Sequence, residues 1–390
     1  MIDNIELKNA IKDVYEQVAV PVRRQLHAYP ELSFHEEETT EYLINQFPKG
    51  WMITRFRNST GFVADFVVDA NRPTLVFRAD IDALPIRENT QLSYSSTKEG
   101  VMHSCGHDVH AAILLATACI INSPDFRYIP AFNIRFLFQP AEEVLPGGAK
   151  CFIDNGVLNG INPMAAFALH LSPELKTGQI GIFDGPFMAS SDEMYVKVIG
   201  KGGHAAIAEH NVDPIIVGSR LVLKIKELSD MELSGNPHVA VIGDFIADGA
   251  TNITPDYVTM QGTIRTFNDG DRTFIKTKIQ EIADELQSQY NCVIELNIID
   301  GYPTLFNNHG VVEKVKTISS MMLEPQDIVP IPRRMTSDDF AYYSNIIPSC
   351  MIRLGCGSYG SGKLHSPSFN PNEECMKTGI ELLSNICFYY

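Results

Sequence analysis

The order of strand and helix patterns constrains the fold of this chain more than any other feature. In the first part of the chain, apolar residues recur with helical and with strand periodicity in alternating segments. Predicted helices cover residues 4–28 and 36–45 and run from Asp108 to about Asn122, and predicted strands cover residues 61–68, 73–79, 132–138 and 165–169. Strands that alternate with helices predict an α/β sheet that is covered on both faces.

A stretch of different character, residues 188–301, interrupts this pattern. It contains predicted strands at residues 193–199, 238–245, 257–266 and 293–299 and predicted helices at residues 214–228 and 271–289. The resulting order, βαββαβ, is typical of a ferredoxin-like domain. Because the α/β pattern resumes near Val311 and at residues 350–354, we expect this α+β domain to be an insertion. It would separate two parts of one α/β domain, residues 1–187 and 302–390.

Length and charge exclude some classes of protein. A chain of 390 residues favours two domains, and a net charge of −16 argues against binding to nucleic acid or to an anionic membrane surface. No run of about twenty apolar residues predicts a membrane span, and residues 1–6 do not resemble a signal peptide. Because eight cysteines are spread singly along the chain, we expect a reducing, cytoplasmic compartment.

The segment 103–110, with three histidines, a cysteine and an aspartate, favours a metal site. Cys105 and His107 are separated only by Gly106, which lets the backbone turn so that both side chains converge on one cation. Residues two apart do not share a helix face, so ligand pairing places this segment in a loop before the helix. Asp108 is then expected to be the N-cap. The alternative is a histidine-rich loop without a metal.

Further candidate ligands follow predicted strands, where α/β proteins place their sites. Glu142 and Glu143 follow the strand that ends at Phe138, His170 ends the strand 165–169, and His365 follows the glycine-rich loop 355–362. Each has an ordinary alternative: a solvated acidic turn, a capping hydrogen-bond donor and a loop histidine, respectively.

Together these positions supply one cysteine, three histidines and one glutamate, namely Cys105, His107, His170, His365 and one member of the pair Glu142-Glu143. Five ligands exceed what one tetrahedral zinc ion with an open position needs. Two ions roughly 3.5–4 Å apart fit better. The other glutamate of the pair can then act on a metal-bound water.

The predicted insertion contributes three candidates. His204 lies in the glycine-rich segment 200–206, directly after a strand, and Asn252 and Arg265 flank the strand of the segment 252–266. The guanidinium of Arg265 can fork onto a substrate carboxylate. A surface ion pair with Asp269 or Asp271 is the alternative that spacing alone favours.

Eight segments in order along nearly the whole chain are similar to the superfamily of aminoacylases, hippurate hydrolases and zinc-dependent carboxypeptidases. They are RRQLHAYPEL at 23–32, FRADIDALPI at 77–86, HSCGHDVH at 103–110, QPAEE at 139–143, ALH at 168–170, GKGGHAA at 200–206, GTIR at 262–265 and LHSP at 364–367. The set resembles the branch that cleaves N-acyl amino acids, including hippurate, indole-acetyl conjugates and N-acetyl-diaminopimelate.

The resemblance implies a di-metal amidohydrolase with a metallopeptidase-type catalytic domain and a ferredoxin-like lid that also forms a homodimer. Two divalent ions (Zn, Mn, Co or Ni) would be bound by Cys105, His107, Glu143, His170 and His365, and Glu142 would be the general base. His204, from the same or the partner subunit, would stabilise the oxyanion. Asn252 and Arg265 would hold the amino-acid end of a small N-acyl amino acid.

The chain departs from its resemblance at three places. Arg78 stands where many relatives carry a histidine two residues before the aspartate, so Asp80 is expected only to support the ligands, as is Asp108. Asp338 replaces a frequent glutamate, and Ala208-Glu209 replaces a frequent Pro-His pair. These changes affect the expected substrate preference. The alternatives are a metallo-dipeptidase or carboxypeptidase and, more remotely, a non-catalytic binding protein, which would require loss of Glu142 or of ligands.

Overall fold

The protein is described by a computed structural model for residues 4–123, 128–207, 211–358 and 360–390. The chain forms two compact units. The first consists of Met1–Gly185, Phe306–Pro332 and Asp339–Tyr390, and the second of Pro186–Leu305 and Arg333–Asp338.

The helices and strands are numbered along the chain. The helices are α1 Asn4–Val14, α2 Val20–Ala28, α3 Glu37–Gln46, α4 His107–Ile121, α5 Gly148–Asp154, α6 Pro214–Ser229, α7 Asp269–Tyr290, α8 His309–Ser319, α9 Ala341–Ser344 and α10 Cys375–Tyr389, with a π-helical segment Tyr15–Ala19 and a 3-10 turn Pro325–Asp327. The strands are β1 Met52–Arg55, β2 Phe62–Phe66, β3 Thr74–Asp80, β4 Asn133–Gln139, β5 Pro163–Lys176, β6 Ile180–Ile182, β7 Gly185–Met188, β8 Asp192–Ile199, β9 Gly203–His204, β10 Val239–Ile246, β11 Ile253–Thr254, β12 Tyr257–Arg265, β13 Val293–Asp300, β14 Leu305–Asn307, β15 Ile328–Pro330 and β16 Ser349–Gly357.

The first unit is built on a mixed sheet of eight strands in the order β1-β2-β4-β3-β5-β16-β6-β15. Its central strands β4, β3, β5 and β16 are parallel to their neighbours within this group. Strand β3 is buried along its whole length, as expected for a sheet with helices on both faces. The predicted α/β sheet is therefore confirmed.

Helix α4 is the central helix of this core. Its apolar run is buried on every side, and of its 15 residues only Cys119 is not fully buried. It packs against α10, α2 and β3. A helix that is apolar all round needs neighbours on every face, and this packing fixes the position of its first residue, His107.

The second unit contains a four-stranded antiparallel sheet in the order β10-β12-β8-β13. Counting only the strands of this sheet, α6 lies between β8 and β10 and α7 between β12 and β13, which is the order βαββαβ that the sequence predicts. Buried Met194, Val196 and Val198 alternate along β8 with more exposed residues. The buried face of the sheet packs with apolar residues of both helices.

One short segment belongs to a different unit than the sequence indicated. Arg333–Asp338 was expected in the first domain, within residues 302–390, but it clusters with the second unit. The backbone of Arg334 exchanges hydrogen bonds with Phe187 and Ala189, and the Arg333 side chain donates to Asn236 at 2.8 Å. Such tertiary pairing leaves no signal in local composition.

Two local predictions near the ligands are wrong. Helix α4 begins at His107, Gly106 takes the N-cap position with a left-handed φ of 92°, and Asp108 lies inside the first turn without capping it. Strand β5 does not end before His170 but continues to Lys176, because its register with β16 extends past this residue.

Among the described residues, no helix is long and apolar enough to span a membrane.

Candidate metal centre

Several candidate site residues of the first unit lie near the carboxyl-terminal ends of the parallel strands β3, β4 and β5 or in the loops that follow them. Asp80 is the last residue of β3, Glu142 and Glu143 follow β4, and His170 lies in the second half of β5. Helix α4 starts at the same edge with His107. Because the carboxyl ends of parallel strands share one edge of a sheet, these side chains converge.

The structure brings all five predicted ligands together. Three groups, in each of which the donor atoms lie within 4.8 Å of one another, share members: Cys105 with His107 and His170, Cys105 with Glu143 and His365, and His107 with Glu142 and Glu143. Cys105 and His107 each belong to two of these three groups, and His107 also forms a group with Asp80 and His110. One continuous cluster of sulfur, nitrogen and oxygen donors results, with Glu142 at its side.

The two buried histidines of the cluster are oriented by their second ring nitrogen. Nδ1 of His107 lies 2.9 Å from the backbone carbonyl oxygen of Asp82 and 3.1 Å from its carboxylate. Nδ1 of His170 lies 2.9 Å from the carbonyl oxygen of Leu171. These acceptors hold a proton on Nδ1 of each ring and leave Nε2 facing the cluster, where Nε2 of His170 lies 3.5 Å from Cys105 Sγ.

Asp82 was not among the predicted site residues. Besides orienting His107, it accepts hydrogen bonds from the hydroxyl of Ser33 and the backbone N–H of Glu143, at 2.7 and 3.1 Å. Its full burial opposes ionisation, but the hydrogen bonds from His107, Ser33 and the Glu143 backbone, together with the charge of His107, lower its pKa. The spacing Asp80-Ile81-Asp82 was a usable signal, since side chains two apart point to the same side of extended backbone.

One buried atom of the cluster points to a cation. Nε2 of His107 is shielded from solvent but makes no hydrogen bond, and it lies 3.9 Å from Oε1 of Glu143. Buried polar atoms without partners are costly. The residues present therefore fit borderline divalent ions, for which thiolate, imidazole and carboxylate are suitable donors.

The fifth candidate ligand, His365, enters from a loop. Its backbone takes a left-handed φ of 60° and its N–H donates to the carbonyl oxygen of Ser104 at 2.8 Å. Its Nε2 lies 3.2 Å from Oε1 of Glu143, and half of the side chain, 52%, is exposed. The hydrogen bond with Cys105, and then that with Glu143, raises the pKa of His365 to about 10. A bound cation would replace that proton.

Burial shifts the pKa values of Cys105 and His170. It raises the pKa of the Cys105 thiol, with the charge of Glu143 adding to the effect. It lowers the pKa of His170 well below its usual value, and the nearby guanidinium of Arg353 lowers it further. The neutral imidazole of His170 is the form that binds a metal ion.

Asp80 lies beside the cluster, with one carboxylate oxygen 3.6 Å from Nε2 of His107, but both of its oxygens already accept hydrogen bonds. One oxygen of its carboxylate accepts from Nδ1 of His110 at 2.6 Å, and the other accepts from Arg78 at 2.6 Å. The second ring nitrogen of His110 accepts the backbone N–H of Leu171 at 3.0 Å. Both nitrogens of His110 are thus in use, so this histidine of the 103–110 segment supports the site instead of offering a ligand.

Arg78, at the position where a histidine was expected in many relatives, organises a second buried network. Its guanidinium donates to Asp80, to Gln139 at 3.0 Å and to Asp339 at 2.6 Å. Asp339 also accepts from the side chain of Gln139 and from the backbone N–H of Ala149. This network ties the end of β3 to the end of β4, and no sequence signal identified Asp339 as part of it.

Asp108 contacts a different set of partners. Its carboxylate lies 2.8 Å from Nδ1 of His27 and 3.0 Å from Nε of Arg23, both on α2 and both fully buried. Burial opposes ionisation, but the charge of Arg23 lowers the pKa of Asp108 far below its usual range. The first turn of α4 is thereby fixed to α2, which is a supporting position of the kind expected for Asp108.

Two predicted residues of the second unit, His204 and Asn252, lie on or directly beside the short strands β9 and β11. His204 lies on β9 and pairs with Ile253 of β11, and the N–H of Ala205 donates to the carbonyl oxygen of Asn252 at 3.0 Å. The side chains of His204 and Asn252 are exposed. The Ala208-Glu209 substitution falls outside the described residues.

Arg265 ends β12 and does not pair with Asp269 or Asp271. Its guanidinium donates to the hydroxyl of Ser337 at 2.8 Å. Burial lowers the pKa of Arg265, against the opposing charge of Asp192. The surface ion pair that spacing favoured is therefore wrong.

Comparison with known proteins identifies the family. The sequence profile of Peptidase family M20/M25/M40 matches residues 76–388. This chain belongs to Peptidase family M20/M25/M40. It is 34% identical over 364 residues to N-acetyl-L-cysteine deacetylase of Bacillus subtilis, covering 92% of this chain and 84% of that protein. It is 35% identical over 307 residues to N-acyl-L-amino acid amidohydrolase of Geobacillus stearothermophilus, covering 77% and 81%.

A solved M20 structure supports the same assignment. A protein from Bacillus subtilis described as a dinuclear metal binding peptidase from the M20 family aligns with a TM-score of 0.82 and 29% identity. The alignment covers 96% of this chain and 98% of that one. This M20 chain therefore has the fold of a family member in both of its units, over nearly the full length of the chain.

Proposed function

We propose that this protein is a di-metal amidohydrolase that cleaves N-acyl-L-amino acids into a carboxylic acid and a free amino acid. The observation that carries the proposal is the single cluster of five donors, one thiol, three imidazoles and one carboxylate, with a sixth group, Glu142, at its side. The names of the two relatives, a deacetylase of N-acetylcysteine and an N-acyl-L-amino acid amidohydrolase, give the substrate class.

Two divalent ions would be held by the five donors Cys105, His107, Glu143, His170 and His365. Shared use of Cys105 and His107 between the three-residue groups favours two neighbouring ions over one. When bound, the ions supply Lewis acidity towards the amide carbonyl and lower the pKa of water. The mixed donor set accommodates Zn, Mn, Co or Ni.

Glu142 is the proposed general base and acid. Its side chain is 7% exposed and lies within the donor group that contains His107 and Glu143. From there its carboxylate takes a proton from the attacking water and later gives it to the leaving nitrogen of the amino acid. A buried carboxylate suits this role because exclusion of water strengthens its interactions with the reacting atoms.

Three residues of the second unit complete the proposal. The exposed imidazole of His204 would donate to the oxyanion that forms from the amide carbonyl. The guanidinium of Arg265 and the amide of Asn252 would bind the α-carboxylate of the substrate, which an arginine recognises with two parallel hydrogen bonds. The second unit would then act as a lid.

A substrate panel tests the proposal against its nearest alternative, a metallo-dipeptidase or carboxypeptidase. Metal-loaded protein is assayed with hippurate, N-acetyl amino acids and dipeptides with free amino termini. We expect hydrolysis of the acylated amino acids and little turnover of free dipeptides. Turnover of the dipeptides alone would replace the proposal with the peptidase, and no turnover of any amide would leave only a binding protein on this fold.

We further propose a homodimer that forms through the second unit. The outer strands of its sheet, β10 and β13, carry exposed apolar residues, including Val241 and Ile246 on β10 and Val293 and Ile299 on β13. Exposed edges with apolar side chains pair with other strands. Sedimentation velocity is expected to give a dimer.

A reducing, cytoplasmic compartment is proposed as well, because none of the eight cysteines forms a disulfide.

A further inference from the structure

We propose that Glu36 is a positioning residue for the general base, because its buried carboxylate anchors the backbone of the loop that carries Glu142. This inference rests on the proposed function for the role of Glu142. The anchoring contact itself is a property of the fold. Nothing in the sequence singled out Glu36, which is one of several glutamates in the acidic stretch before and within α3.

Glu36 reaches the loop from a distant part of the chain. It precedes α3 and its side chain is completely buried. One oxygen of its carboxylate accepts the backbone N–H of Ala141 at 2.8 Å, and the other accepts the hydroxyl of Thr60. A hydrogen bond from a backbone N–H to a buried carboxylate is stronger than a neutral one. The peptide unit between Pro140 and Ala141, one residue ahead of Glu142, is therefore held firmly.

The loop needs such an anchor because its backbone is strained. Ala141 has a φ of 51°, in the left-handed region that residues other than glycine avoid. Its carbonyl oxygen accepts the N–H of Gly148 at 2.8 Å. Gly148 itself passes so close to Pro140 that an added Cβ would lie 1.7 Å from the Pro140 carbonyl oxygen. Both polar groups of Ala141 are thus fixed by neighbours.

The other side of Glu142 is fixed independently. The carboxylate of Asp82 accepts the backbone N–H of Glu143 at 3.1 Å. Glu142 therefore stands between two amides, each bound by a different buried carboxylate. Loss of the Glu36 contact would release the Ala141 side while leaving Glu143 bound to Asp82, so we expect the base to lose its position and the metal ligands to keep theirs.

The test compares Glu36→Ala with a matched control and a rescue variant. Glu31→Ala is the control, because Glu31 is also a nearly buried carboxylate that accepts a backbone N–H, that of Thr39 at 2.7 Å, in the same part of the chain but not in the loop. Glu36→Gln is the rescue, because its amide oxygen can still accept from Ala141. Glu36→Asp, which retains the charge but is one methylene shorter, serves if Glu36→Ala does not fold.

We expect Glu36→Ala, or Glu36→Asp in its place, to lower kcat by roughly tenfold to a hundredfold, since a small misplacement of a catalytic group has effects of that size. KM and metal content should change little, Glu36→Gln should recover most of kcat, and Glu31→Ala should resemble the wild type. A kcat of Glu36→Ala equal to that of wild type, or an equal loss in Glu31→Ala, would overturn the inference.

Hydrogen–deuterium exchange of the peptide covering residues 139–148 separates this inference from the proposed function. We expect faster exchange in Glu36→Ala than in wild type, and unchanged exchange in Glu31→Ala, because only the first variant frees the Ala141 N–H. This result does not depend on turnover. Wild-type protein that hydrolyses no amide would refute the proposed function, whereas unchanged exchange in Glu36→Ala would refute the anchor.

Discussion

At the scale of single residues, identical side chains have different tasks that their partners decide. His107 and His110 are three residues apart on α4, yet Nε2 of His107 has no hydrogen-bond partner while both nitrogens of His110 are occupied. Glu142 and Glu143 are adjacent in the sequence and both lie near His107, but Glu143 also forms a donor group with Cys105 and His365. Sequence identifies the candidates, and hydrogen bonding separates a ligand from its support.

Replacement of Glu142 tests the proposed division between the two glutamates. We expect Glu142→Ala to lower kcat by about a thousandfold or more, as loss of a general base does, while the metal content stays near that of wild type. Steady-state kinetics and elemental analysis of the same preparation measure both quantities. Substantial residual turnover would show that another group takes the proton.

Replacement of Cys105 tests the cluster itself. Because Cys105 belongs to two of the three-residue groups, Cys105→Ser should lower the occupancy of both ions, since a hydroxyl is a far poorer ligand than a thiolate. Cys119→Ser, at the partly exposed position of α4, is the matched control and should load fully. Elemental analysis after dialysis measures the occupancy, and full loading of Cys105→Ser would contradict the assignment.

The buried carboxylate of Glu36 allows a prediction about how the free energy of unfolding depends on pH. Burial, and then the charge of Asp82, raises the pKa of Glu36 from 4.5 to about 7. Between these values the folded state holds the proton more tightly than the unfolded state, so its contribution to the free energy of unfolding falls as pH rises from about 4.5 to about 7. Glu36→Gln does not titrate, so its stability relative to wild type should rise across this window, by at most about 3 kcal/mol.

Denaturant unfolding of both proteins at pH 5 and pH 8 measures this difference. A difference that stays constant between the two pH values would show that Glu36 titrates normally. A decrease would mean that its pKa is lowered in the folded protein instead of raised.

At the scale of helices and strands, the long elements were predictable and the local exceptions were not. The βαββαβ order of the second unit and the apolar run of α4 follow directly from periodicity. The start of α4 was predicted wrongly because a positive-φ glycine, Gly106, replaces the expected side-chain cap. The continuation of β5 past His170 and the two-residue strands β9 and β11 depend on pairing with remote segments, which local pattern does not report.

The residues of the site also fall into two groups, those that the sequence predicted and those that it did not. The five donors and Glu142 could be proposed from sequence because each is a chemically distinctive side chain beside a predicted strand or helix. Asp82, Arg78, Asp339 and Glu36 act through buried hydrogen bonds across the fold. Their roles depend on three-dimensional proximity, so sequence alone did not reveal them.

The start of α4 gives a prediction at this scale. A Cβ on Gly106 would lie 2.5 Å from Cδ1 of Leu171, and its φ of 92° is strained for any other residue. We expect Gly106→Ala to lower the free energy of unfolding by about 1–3 kcal/mol and to weaken metal binding, because Cys105 and His107 flank it.

Gly100→Ala is the matched control, since Gly100 has a φ of 77° but no atom within 4 Å of an added Cβ. Thermal unfolding and metal titration of both variants measure the effects. Equal losses in the two variants would mean that backbone strain alone, and not the contact with Leu171, is responsible.

At the scale of the whole molecule, chemistry and substrate recognition are assigned to different units. The first unit contains the donor cluster and Glu142, and the second contains His204, Asn252 and Arg265. Each unit has its own apolar core.

The central claim is that five side chains of the first unit hold a pair of divalent ions. Anomalous X-ray diffraction from crystals of protein loaded with zinc or manganese tests it most directly. The account predicts two anomalous peaks per chain, both within bonding distance of members of the set Cys105, His107, Glu143, His170 and His365. A single peak, or peaks bound elsewhere while this cluster remains without one, would contradict it.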